Sequence, residues 1–191
     1  PIAGVPEIVD FRRHVQPILD KHCVACHNAS RRDGQLCLEA GPGMPSHGQG
    51  RVFSSYVALV RRLGEIADGR NAHGSRPPRS MGSSGSKLMT RIDGSHHDVV
   101  VSPNEAAILR LWLDSGAAAN GTYAVMHGGT PEKPSPLYFR EMQRYGILPP
   151  DFDPATDRLD PYATDQAYWR SFWYHPSQTS RESTAPPSAT P

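Results

Sequence analysis

Three features of the 191-residue chain predict an all-α fold. Apolar residues recur at helical spacing in successive stretches. Ser102-Pro103-Asn104-Glu105 is a capping box with proline at the first helical position, a strong helix start. Third, Cys23-Val24-Ala25-Cys26-His27 is a C-x-x-C-H, whose two thiols can add across the vinyl groups of one porphyrin while His27 ligates the iron. A covalent haem would then be the core around which short helices pack.

Two other readings of the motif compete. A closed zinc site could use Cys23, Cys26 and Cys37 with a histidine such as His47, but Cys37 stands alone and no second C-x-x-C follows. A thioredoxin-like redox pair calls for a βαβ surround that the pattern lacks. Haem attachment is preferred, and it leaves Cys37 as a small buried apolar side chain.

The first helix starts at Asp10, which can cap, and carries Phe11, Val15, Ile18 and Leu19 towards Cys23. Pro17 either kinks it or opens a second helical piece. His14 and His22 read as solvated side chains. Residues 28–50 are mostly turn formers, with an apolar island at Leu36, Cys37 and Leu38 that would cover a haem edge. A second helix is expected over 54–63, with Tyr56, Leu59, Val60 and Leu63 as its buried stripe. Residues 67–86, rich in Gly, Ser, Arg and Pro, read as a mobile, wet loop. Ser86 then caps a short helix burying Leu88, Met89 and Ile92. After the loop holding His96 and His97, the capped helix buries Ile108, Leu109, Leu111, Trp112 and Leu113, and Gly116 stops it.

Beyond Thr122 the composition changes. Residues 126–160 are studded with proline, with one amphipathic helix expected over 137–145. Thr164 or Asp165 would cap a last helix carrying Tyr168, Trp169, Phe172 and Trp173. The division expected is a haem domain over 1–122, a Pro-rich and aromatic extension over 123–175 packing on it or on a partner, and a disordered tail over 176–191.

Charges nearly cancel, at a formal net +1, and both signs are interspersed. Neither a nucleic-acid groove nor a polybasic membrane patch is indicated. No apolar run approaches the ~20 residues of a membrane span. Nineteen prolines are about twice the average share, so much of the chain is irregular. Pro1, in place of Met, reads as the start of a processed or excised piece. Haem c is attached outside the cytoplasm, so the compartment expected is periplasmic or otherwise extracytoplasmic.

Phe11-x-x-x-Val15-Gln16-Pro17-Ile18-Leu19 leading into Cys23-x-x-Cys26-His27 resembles the entry to small bacterial monohaem cytochrome c domains. Ser86-Lys87-Leu88, then His96, Val99-x-Val101-Ser102-Pro103-x-Glu105 and Leu111-Trp112-Leu113-Asp114 resemble a narrower group, the cytochrome c domains of proteins similar to the hydrazine synthase alpha subunit. The likeness covers residues 11–123. It implies a cytochrome c-like helical fold and makes His96, six residues before the capping serine, the second axial ligand. His97 is the neighbouring alternative, and Met89 and Met81 are candidates because ordinary cytochromes c use a methionine. His47, His73, His127 and His175 read most simply as surface residues.

With two protein ligands on the iron, the expected function is single-electron transfer to a redox partner protein or to other domains of a larger complex. The alternative is a haem domain of a larger, hydrazine synthase-like redox enzyme with small-molecule chemistry at the iron. A docking role for the aromatic extension is a third possibility.

Overall fold

The computed structural model describes residues 2–46, 50–63 and 77–171. Their regular structure is helical apart from two strands of three residues, which gives the all-α class.

Phe11–Val15 winds as a π-helical turn and continues into α1 (Gln16–His22). Asp10 starts it by accepting the Arg13 amide at 3.0 Å, which satisfies one of the orphan donors of a helix start. Pro17 lies in the first turn of α1. A missing N–H costs no hydrogen bond there, so the proline opens a second helical piece instead of kinking one long helix.

The stretch read as turn formers contains a small hairpin, β1 (Met44–Ser46) antiparallel to β2 (Gly50–Val52), with Met44 opposite Val52. Pro45 is tolerated because a two-stranded ribbon is all edge. α2 (Ser54–Leu63) buries Tyr56 and Leu59 and half-buries Val60; the Leu63 side chain lies outside the described residues. Of the loop expected at 67–86, residues 67–76 lie outside them too. The remainder corrects the expectation, since it holds a single turn, α3 (Gly82–Gly85). The Ser83 amide and hydroxyl fasten this turn by donating to the Asp114 carboxylate at 2.7 and 2.9 Å. Ser86 accepts from the Leu88 amide at 3.2 Å, and the short helix expected there is one 3-10 turn, Met89–Arg91.

α4 (Pro103–Asp114) carries both arms of its capping box. The Glu105 amide donates to Ser102 Oγ at 3.3 Å and the Ser102 amide to Glu105 Oε2 at 2.7 Å. Leu109, Trp112 and Leu113 are buried, but Leu111 is 37% exposed. At 100° per residue, three consecutive apolar side chains cannot all face one core. Gly116, at φ +90°, ends the helix as expected.

The first apolar cluster runs from Val9 to Ala119 and is centred on Phe11, which packs edge-on to Tyr56 (5.2 Å between centroids) and against Trp112 (5.5 Å). Full burial of each such side chain contributes roughly 1.5–3 kcal/mol. A second cluster joins Ala124, Tyr138, Met142 and Leu148. It is built from the turn Tyr123–Gly128, α5 (Pro136–Arg144) and α6 (Pro161–Ser171). α6 starts earlier than expected: Asp160 accepts the Tyr162 amide at 3.0 Å. Thr164 and Asp165 are therefore interior residues and not caps. Asp165 accepts from the Tyr138 hydroxyl at 2.8 Å and from the Tyr123 amide at 2.6 Å.

The two parts meet at Asp10, which is fully buried. One of its oxygens accepts both the Gly121 amide at 2.8 Å and the Tyr162 hydroxyl at 3.2 Å. The Arg13 guanidinium lies 4.1 Å above the Tyr162 ring. Tyr168 packs on the second cluster, while Trp169 stays 39% exposed beside Tyr123. Phe172, Trp173 and the tail 176–191 lie outside the described residues. No helix among those described is long and apolar enough to cross a membrane.

Candidate functional site

α1 ends by handing the chain into the C-x-x-C-H. The Cys23 amide donates to Leu19 O at 2.8 Å, and the Cys26 and His27 amides both return to Cys23 O, at 3.2 and 3.0 Å. The motif is thus one compact turn on the helix end. Asn28 staples it: its side-chain amide donates to Val24 O and Ala25 O at 3.1 and 3.2 Å, and its oxygen accepts the Ser30 and Arg31 amides. Nothing in sequence spacing singles out this asparagine, although Asn after a helix end is a familiar turn former.

The His27 ring is oriented by its backbone neighbour. Nδ1 lies 2.9 Å from Asp33 O, and a carbonyl can only accept, so Nδ1 carries the proton and Nε2 keeps its lone pair for a metal. The His27 carbonyl in turn accepts the Leu38 amide at 2.7 Å. Leu38 and Leu36 are both buried, so the apolar island packs directly behind the C-x-x-C-H turn.

His96 comes from a loop closed by a bridge between Asp93 and Val100 and by the Gly94 amide donating to Val99 O at 2.9 Å. His97 and Asp98 adopt left-handed backbone (φ +49° and +59°) to turn the chain. That turn separates the two histidines. His96 is half-buried and His97 is exposed. The His96 and His27 rings lie with centroids 6.1 Å apart and planes 14° from parallel, while the His97 ring packs edge-on against His96 at 4.6 Å. Imidazole nitrogens bind first-row metals at about 2 Å, so two rings on opposite sides of one ion have centroids roughly 6 Å apart. The centroid spacing matches that value, and near-parallel planes are what two imidazoles show when their in-plane nitrogens share one iron. Partial burial holds the His96 pKa below the usual histidine value, and the nearby charges of His97, Arg91 and His27 act in the same direction. The neutral form, which is the one able to bind a metal, is favoured. Met89 packs against the first apolar cluster, and Met81 precedes α3 in extended backbone.

Burial first, and Cys26 second, push the Cys23 thiol up to about 11. A redox-active pair wants the opposite, a thiol whose pKa is lowered. Cys37 is half-buried rather than buried, with its thiol 4.0 Å from a Glu39 carboxylate oxygen. Among the described residues no three of His, Cys, Asp and Glu gather as metal ligands, so Cys23, Cys26 and Cys37 do not form the thiolate set a zinc site needs; His47 lies outside those residues.

The other histidines divide. His22 is not solvated: its side chain is 16% exposed and Nε2 lies 3.2 Å from Glu105 Oε2, where Lys21 also bonds Glu105, at 2.9 Å from Oε1. The α4 cap and the end of α1 are thereby tied together one residue before Cys23. His14 is also half-buried, its Nδ1 accepting the Asp10 amide at 2.9 Å, and burial lowers its pKa. His127 is exposed, and His73 and His175 lie outside the described residues. A cavity of about 620 Å³ opens elsewhere, among Val9, Leu111, Tyr123, Met126 and Trp169, and contains none of the residues discussed above as ligands. No family model, curated protein or solved structure matches the chain.

Proposed function

We propose that this chain holds one haem c, joined by thioethers to Cys23 and Cys26 and ligated by His27 and His96, and that it carries single electrons. The observation that carries the reading is the pairing of the His27 and His96 rings. His27 belongs to the C-x-x-C-H and His96 to a loop far along the chain, so their parallel approach is independent of the motif that first suggested a haem.

When bound, the haem supplies a one-electron iron couple. The chain's own residues set its terms. Asp33 O fixes the His27 tautomer. With His96 as the second ligand, entry of small molecules to the iron would be slow. Two imidazoles also favour a lower potential than an imidazole and a thioether would. No side chain has to donate or accept a proton. The partner would be a redox protein or another domain of a larger complex, and attachment of haem c implies a periplasmic or otherwise extracytoplasmic site.

The alternative, a haem domain of a hydrazine synthase-like enzyme, needs an open coordination position, and the nearness of the His96 ring to His27 weighs against one. A reduced pyridine haemochrome spectrum measured with the intact mass tests the main reading. A c-type spectrum and a mass one haem above the polypeptide are expected; a colourless protein of bare polypeptide mass overturns it.

A further inference from the structure

We propose that Gln16 is a positioning residue for His27, acting through Leu38. This inference rests on the haem reading above. Gln16 is 3% exposed at the start of α1, and its amide is fully committed. Nε2 donates to Leu38 O at 2.9 Å and to Asp20 Oδ1 at 2.7 Å, and Oε1 accepts the Ser55 hydroxyl at 2.6 Å. Ser55, itself fully buried, lies in the first turn of α2. The amide is thus clamped by α1 and α2 and holds Leu38 by its carbonyl.

Leu38 passes the restraint on, because its amide donates to the His27 carbonyl at 2.7 Å. The same peptide strand is gripped on one side by Gln16 and grips the ligand on the other. His27 therefore has two supports: Asp33 O fixes its ring, and the path from Ser55 through Gln16 and Leu38 fixes its backbone. A buried amide with both ends bonded has one orientation, and any change leaves a buried partner unsatisfied.

The test is the rate at which carbon monoxide binds the reduced protein, which is limited by loosening of an axial imidazole. Gln16→Leu keeps the volume and removes all three bonds. Tyr138→Phe, in the second cluster, serves as a control for general destabilisation. The rate is expected to rise about tenfold in Gln16→Leu, and to stay at the wild-type value in Tyr138→Phe. Equal rates in the two variants, with haem intact in both, overturn the role of Gln16 and leave the haem reading standing. A wild-type protein without covalent haem overturns both. Should Gln16→Leu fail to fold, Ser55→Ala frees one side of the amide and is expected to raise the rate about threefold; an unchanged rate there overturns the proposal.

Discussion

The rings of His27 and His96 stand 14° from parallel, whereas His96 and His97, adjacent in sequence, cross at 69°. Left-handed backbone at His97 turns the second ring away from the pair. The two histidines of the doublet are therefore expected to behave differently. On the haem reading proposed above, the ferric wild-type protein should give a rhombic low-spin EPR signal, as near-parallel imidazole planes do. His96→Ala should convert it to high spin and make the reduced form bind carbon monoxide quickly, while His97→Ala should leave both as they are. A high-spin His97→Ala protein with an unaffected His96→Ala protein would reassign the ligand.

Glu105 joins the cap of α4 to the end of α1. Partial burial alone would raise its pKa, but hydrogen bonds from Ser102, Lys21 and His22 outweigh burial and bring it down to about 2. A carboxylate lowered on folding stabilises the protein above its unfolded pKa of about 4.3, and that contribution disappears as pH falls towards 2. Solvent screening keeps the effect to about 1–2 kcal/mol. Denaturant midpoints should then fall between those pH values in the wild type and be flatter in Glu105→Gln, which should also be the less stable protein at neutral pH. Parallel profiles for the two would refute the assignment.

The elements legible in the sequence are those whose signal is local. The capping box at Ser102, the Asp10 cap and the stripe of Tyr56 and Leu59 each depend on residues a turn or two apart, and each formed as read. The hairpin is not legible in the sequence, because strands of three residues containing Pro45 and Gly50 carry almost no alternation. Thr164 and Asp165 are good caps in sequence, whereas burial against Tyr138 decides their place inside α6. Of the site, Cys23, Cys26 and His27 are visible as a motif. His22 bonded to Glu105, and Gln16 bonded to Ser55 and Leu38, depend on contacts between distant segments. Only the fold brings those together.

Gly129 follows the turn that leads into α5. A Cβ there would strike the Ala124 carbonyl oxygen and the Ser135 amide, both backbone atoms that cannot swing aside. Ser135 caps α5 and Ala124 is in the second cluster. Gly129→Ala should therefore destabilise by about 2–4 kcal/mol, seen as a lower thermal midpoint. Because the strain falls on the second cluster, the absorption spectrum of the proposed haem below that midpoint should match wild type.

Tyr138 and Asp165 hold the second cluster to α6. Burial raises the Asp165 pKa, although bonds from Thr122, Tyr138 and the Tyr123 amide oppose the rise. An acid raised on folding binds its proton more tightly in the folded state. Its contribution to stability is full below the unfolded value of about 3.9 and declines as pH climbs through the folded value. Asp165→Asn removes the titration, so its stability relative to wild type should improve as pH rises from about 4. Tyr138→Phe leaves Asp165 one donor short in a buried setting and should cost about 1–3 kcal/mol, with most of the loss above the raised folded-state pKa, where the uncompensated carboxylate is ionised. Urea unfolding across the pH range separates the two variants; a Tyr138→Phe cost that is constant with pH would mean that the hydroxyl matters for packing and not for the charge beside it.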